Sequence, residues 1–125
     1  MKCLILGLLL FPFPAFAADT SFAGVWQVDG SVAGYTVNRT CKFKQDGNKL
    51  SGTCRNSADK ADDKILVLTG GVKDKTVTWK YDADWNGSTL TATYTGAWDG
   101  DAGMAGTIDV QPVNAAGTFT AKKDK

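Results

Sequence analysis

The sequence predicts an all-β chain, an eight-stranded antiparallel up-and-down β-barrel with one disulfide across a hairpin. Three observations lead there. Apolar and polar residues alternate along one segment after another, the period of a half-buried strand. Turn residues separate these segments at spacings of about 8–12 residues, the rhythm of a barrel or sandwich. All 13 acidic residues are aspartate, and the 125 residues contain no glutamate and no histidine. Aspartate favours turns where glutamate favours helices.

The chain opens MKCLILGLLLFPFPAFA. Lys2, the apolar run Leu4 to Phe11 and Ala15-Phe16-Ala17 read as a secretory signal peptide over 1–17, too short for a membrane span. The expectation is an exported protein, periplasmic or secreted, whose single domain covers 18–125. Export leaves Cys41 and Cys54 in an oxidising compartment, where pairing is the default.

The first strand is Ser21 to Val28, with Phe22, Gly24, Trp26 and Val28 on one face. Asp29-Gly30-Ser31 and Gly34 form the next turn. From Tyr35 the pattern is clearest: Tyr35, Val37, Cys41 and Phe43 alternate with polar residues up to Lys44. Gly47-Asn48 supplies the turn, and Leu50, Gly52 and Cys54 share a face on the return. With a two-residue turn, 46 faces 49, 43 faces 52 and Cys41 faces Cys54. That is a non-hydrogen-bonded pair with Cα atoms about 4.5 Å apart, within disulfide reach.

A polar loop covers 57–63. Lys64 to Gly70 is apolar on both faces, so its outer face is a candidate partner surface. Strand 65–70 is accordingly the candidate contact of a homo-oligomer. After a turn over Gly71 to Lys75, Val77, Trp79 and Tyr81 point one way from the strand Lys75 to Tyr81. Asp82 to Ser88 reads as a loop. Thr89 to Gly96 turns its threonines out and Leu90, Ala92 and Tyr94 in. Ala97 to Gly103 is a loop, and Met104 to Gln111 a strand. Pro112 to Ala116 turns, and Gly117 to Lys122 closes the chain with Phe119 and Ala121 inward.

Up-and-down connectivity places loops 29–34, 57–63, 82–88 and 111–116 at one end. Turns 47–48 and 73–74 and loop 97–103 lie at the other. A barrel of this size either fills with side chains or holds one small ligand, and the loop-rich end is the expected mouth.

Charge and composition exclude several classes. Fourteen basic residues, Lys2 among them, balance the 13 acidic ones, giving no electrostatic case for nucleic acid or an anionic membrane. Without histidine there is no Ser-His-Asp or Cys-His set. No spacing selects a catalytic pair of aspartates, and no cofactor motif is present. The reading is a binding protein and not an enzyme. Asp82-Ala83-Asp84-Trp85-Asn86-Gly87 matches the start of a calcium loop, but Thr93 stands where the bidentate glutamate belongs. A hairpin with an Asn-Gly turn explains it better.

Gly24-Val25-Trp26 at the head of this pattern resembles the opening strand of the avidin and lipocalin (calycin) barrels. In that superfamily a basic residue of the last strand packs over the tryptophan, a part open to Lys122 or Lys123. Leu50-Ser51-Gly52-Thr53, Leu68-Thr69-Gly70 with Thr76-Val77-Thr78-Trp79, and Thr93-Tyr94-Thr95-Gly96 look like avidin strands. The resemblance implies the fold and a small-ligand site. It also implies a departure from biotin. The first-loop region Val28-Asp29-Gly30-Ser31 offers only Ser31 for the ureido group. Cys54, Asn56 and Tyr94 stand where avidins carry Tyr, Ser and Trp.

The candidate ligand-binding residues are Tyr35, Arg39, Asn56, Trp79, Tyr81, Trp85 and Tyr94. Arg39 has inward phase, and an inward guanidinium must be compensated. It either holds a ligand's carboxylate or phosphate among the aromatics, or meets an internal partner, or is turned outward by a bulge. Trp85 and Trp98 fall in predicted loops, where they either meet a partner or fold back on the barrel. The leading function is binding of a small, partly apolar ligand at the loop-rich end. The alternatives are a protein-binding module, such as an inhibitor of a secreted hydrolase, and a structural domain with a filled barrel.

Overall fold

The computed structural model describes residues 21–57 and 64–124. The predicted signal peptide and residues 58–63 of the polar loop lie outside these. Eight strands follow one another: β1 (Gly24–Val32), β2 (Tyr35–Asp46), β3 (Lys49–Asn56), β4 (Leu66–Lys73), β5 (Thr76–Trp85), β6 (Ser88–Trp98), β7 (Gly103–Gln111) and β8 (Ala115–Lys123). Each pairs antiparallel with the next, and β8 returns to β1, closing the barrel. No helix among the described residues is long and apolar enough to cross a membrane.

The hairpins follow from their turn residues. Ala33-Gly34 and Asn86-Gly87 have positive φ at both positions, the conformation that two-residue hairpins favour. Gly47 takes φ 61° and sets the expected register: Asp46↔Lys49, Phe43↔Gly52 and Cys41↔Cys54. The cysteines are bonded, with Cα atoms 4.0 Å apart. Opposite Phe43 only glycine fits, because a Cβ on Gly52 would lie 1.9 Å from the Lys42 carbonyl oxygen.

The strands run further than the sequence implied. β1 continues through Asp29-Gly30-Ser31 to Val32, so that stretch is strand and not turn. Likewise β5 runs through Asp82, Ala83 and Asp84 to Trp85, and the loop predicted over 82–88 shrinks to Asn86-Gly87. The aspartates misled because they are turn formers in general. Here Asp82 and Asp84 face solvent on a ladder and accept hydrogen bonds from Thr91 Oγ1 (2.7 Å) and Thr89 Oγ1 (3.2 Å) on β6. The end expected to be loop-rich therefore carries mostly tight turns.

The core is an aromatic column. Phe22 stacks on Trp26 at 4.5 Å and meets Phe43 and Trp98 edge-on. Trp79 stacks on Tyr94 at 4.9 Å, with Phe43 and Phe119 against its face. Such pairs add about 0.5–1.5 kcal/mol each beyond area burial.

Candidate functional site

The two ends of the barrel differ. At the end carrying turns 47–48 and 74–75, the interior is plugged. Phe22 and Trp26 are fully buried there, and Trp26 Nε1 donates to the Phe22 carbonyl at 2.8 Å. Trp98 is buried as well, its Nε1 bonded to the Asp101 carbonyl; it folds back on the barrel. Lys123 crosses over Gly24, where a Cβ would touch its Cε, and donates to the Ser21 carbonyl at 2.9 Å. Of Lys122 and Lys123, it is Lys123 that lies opposite Trp26 in the ladder.

Toward the other end the filling thins. Val37, Leu66, Ala83, Val110 and Ala115 are only partly buried. Beneath them, the Tyr81 and Tyr94 hydroxyls are 2.5 Å apart. Burial pushes the Tyr94 phenol far above the ordinary tyrosine range. The nearby Tyr81, by charge and by hydrogen bond, pushes it further, and Arg39 pulls weakly the other way. Tyr94 is thus a neutral hydroxyl at any physiological pH. Arg39 is half-buried with its guanidinium 5.9 Å from the Tyr81 ring centroid. Among the described residues it faces this ring and not a carboxylate. A cation over a ring gains about 0.5–2 kcal/mol and leaves its five N–H donors for other acceptors.

The predicted site residues divide into three groups. Arg39, Tyr81 and Tyr94 come together beneath those partly buried residues. Asn56 is half-buried and opposite Arg39 in the β2–β3 ladder. Trp79 lies deeper, fully buried, and its Nε1 is a buried donor with no partner among the described residues. Tyr35, assigned to the interior by alternation, is instead 63% exposed. It flanks the Ala33-Gly34 turn and packs edge-on against Trp85 at 5.9 Å. Trp85 is also exposed, so these two form a rim and not a wall.

A feature that alternation along single strands does not signal lies between β4 and β5. Their ladder runs from Lys73↔Thr76 to Thr69↔Lys80 and stops. Yet β4 goes on pairing with β3 to Leu66↔Cys54, and β5 with β6 to Trp85↔Ser88. Among the described residues, Leu66 to Leu68 and Tyr81 to Ala83 are left without partners across a seam. An open depression of ≈ 270 Å³ marks it, lined by Lys64, Ile65, Leu66, Asp82, Ala83 and Asp84. Closing the ladder would set Val67 against Asp82, an apolar–charged pair with little to gain. The two strand faces the sequence read as apolar are both accounted for. Leu66 and Leu68 turn in, while Ile65 and Val67 stand 60% and 71% exposed beside the seam.

The rhizavidin–biotin complex overlays 84% of this chain and 93% of its own at TM-score 0.58 and 14% identity. The fold is an avidin-like barrel. A redesigned β-barrel bound to DFHBI gives TM-score 0.60 at 18% identity over 86% of this chain and 98% of its own. A second redesigned barrel gives TM-score 0.60 at 13% identity, covering 87% of this chain and 95% of its own. No protein-family model and no curated protein sequence matches the chain. Within the avidin-like barrel, the resemblance noted at Gly24-Val25-Trp26 falls on the first strand, with the tryptophan at the plugged end.

Proposed function

We propose that this avidin-like barrel binds a small, partly apolar ligand bearing an acidic group at the end framed by turns 33–34 and 86–87. The observation that carries the reading is Arg39: a half-buried guanidinium over the Tyr81 ring, 5.9 Å from its centroid. A carboxylate there would gain charge-assisted hydrogen bonds. Val37, Leu66, Ala83, Val110 and Ala115 would cover the apolar part, and Tyr35 and Trp85 would flank the opening. The rhizavidin and DFHBI structures, by their names, hold small ligands, which supports this use of the fold. Biotin itself is not the expected ligand, since Cys54 and Asn56 replace the polar partners that the avidin pattern supplies, and unmet polar groups cost steeply. We further propose that the protein is exported through its leader and works as a binder, without catalysis.

The test is a fluorescence titration with 2-naphthoate and its neutral amide, read on the tryptophans, alongside native mass spectrometry of protein taken from its own host. Saturable naphthoate binding, weakened about tenfold or more in the amide and in Arg39→Gln, supports the reading. Absence of both a retained small molecule and a naphthoate response overturns it.

A second reading rests on a separate observation. The large exposed apolar residues Tyr35, Ile65, Val67, Trp85 and Val113 all belong to the mouth end or its flanking strand, as on a surface that meets another protein.

A further inference from the structure

The seam between β4 and β5 has a chemistry of its own. Lys73↔Thr76 closes a two-residue turn, so it is a hydrogen-bonded pair, and such pairs recur at every second position. Counting outward, Gly71 and Thr78, then Thr69 and Lys80, exchange main-chain bonds. Val67 and Asp82 would be next, with Ile65 and Asp84 beyond them. The ladder ends before they meet. Their N–H and C=O groups therefore point into the seam from both sides, as at the exposed edges of an open sheet. Elsewhere each strand's other edge is paired to the same height.

Side chains around the seam sort by face. Val67, Asp82 and Asp84 are exposed on the outside, and Leu66 and Ala83 are half-buried toward the barrel interior. An extended segment in the seam would place alternate residues against these two faces. Its outward residues would sit between Val67 and the Asp82 and Asp84 carboxylates. A lysine or arginine suits that position, with its stem on Val67 and its charge on the aspartates. Its inward residues would meet Leu66 and Ala83, which calls for apolar groups. The unpaired stretch is three residues long on each strand, about 10 Å at ~3.3 Å per residue.

We propose that the β4–β5 seam docks an extended polypeptide segment of alternating basic and apolar residues, through main-chain pairing with the Asp82–Asp84 edge. The segment pairs with the seam's main chain and does not call on Arg39, although its inward residues share Leu66 and Ala83 with the proposed ligand site.

The probe is a labelled, end-blocked peptide of sequence Val-Lys-Val-Lys-Val, followed by fluorescence polarisation with the full chain. Three comparisons decide the matter. The same peptide N-methylated at alternate residues keeps its side chains and loses its main-chain donors. Its glutamate counterpart reverses the charge. The variant Asp82→Asn/Asp84→Asn keeps the seam's shape and removes its charge. Each is expected to weaken binding by about tenfold or more, while Lys44→Gln, an exposed change on β2, leaves it unchanged. Equal binding of the N-methylated peptide would overturn strand pairing and leave only a charged surface. No binding of the lysine peptide, or self-association of the chain lost in Val67→Lys, would assign the seam to water or to a second copy and overturn the proposal.

Discussion

β2–β3 and β4–β5 are neighbouring hairpins of the same barrel, both turned by two residues, and they end differently. β2 and β3 stay paired from Asp46↔Lys49 out to Arg39↔Asn56, with the Cys41–Cys54 bond inside the ladder. β4 and β5 part company above Thr69↔Lys80. The difference separates where this fold is secured from where its main chain is left open. Aromatic packing and a covalent tie hold the plugged end and its adjoining strands. Beyond its last ladder pair the β4–β5 hairpin has no such tie, and main-chain groups and the apolar Ile65 and Val67 are left at the surface. Stability need not be uniform across a structure, and binding regions are drawn from its weaker parts.

The strongest test of that contrast uses two tryptophans on one strand. Trp79 is fully buried in the column, and Trp85 is 48% exposed on the rim. Trp79→Ala is expected to cost about 3–5 kcal/mol, and Trp85→Ala less than about 1 kcal/mol. Urea titration of both variants measures it. Comparable losses would mean that the rim is part of the core, and the contrast would fail.

Next in size is the disulfide. Replacing both Cys41 and Cys54 by alanine is expected to lower stability by about 3 kcal/mol. The loss should appear as a lower urea midpoint with a fold unchanged by circular dichroism. A wild-type protein equally stable with and without reductant would remove the tie from the account of the secured hairpin.

These two regions were unequally legible from sequence. The β2–β3 register follows from Gly47-Asn48 and two cysteines equidistant from it, because a hairpin turn fixes every pair beyond it. Arg39 was legible too, since alternation gives its phase. Tyr35 was misread because alternation says which way a residue points and not whether the barrel still encloses space at that height. The stretches Asp29-Gly30-Ser31 and Asp82-Ala83-Asp84 were misread for a related reason. Turn-forming residues are also tolerated on the wet face of a strand when a neighbouring hydroxyl, as from Thr91 or Thr89, satisfies them. The seam was invisible because each strand's own pattern continues through it; only the pairing stops.

A third prediction concerns pH and separates the column from the titration of surface groups. Burial, reinforced by Tyr81, holds the Tyr94 phenol above its ordinary value. Above about pH 10 the unfolded chain releases this proton while the folded chain keeps it. Tyr94's contribution is therefore intact below about pH 10 and is lost as pH rises, by about 1.4 kcal/mol per unit. Tyr94→Phe removes this share. Denaturant midpoints at about pH 9 and about pH 11 should converge for the variant relative to wild type. Parallel loss in both proteins would mean that Tyr94 is solvated in the native state.

The smallest effect is at the seam, and it is the most specific. Val67 is largely exposed, so Val67→Thr is expected to change stability by less than about 0.5 kcal/mol. Hydrogen exchange, however, should discriminate sharply. The amides of Thr69 and Lys80, at the last ladder pair, should be protected. Those of Val67 and Asp82, one hydrogen-bonded position further along the same strands, should exchange as open main chain. A bound strand would reverse this on β5, protecting Asp82 while leaving the amides of β2 and β3 as they were. Protection of Val67 and Asp82 in the unliganded protein would mean that the ladder closes in solution. The two hairpins would then be alike, and no opening would remain for a segment to enter.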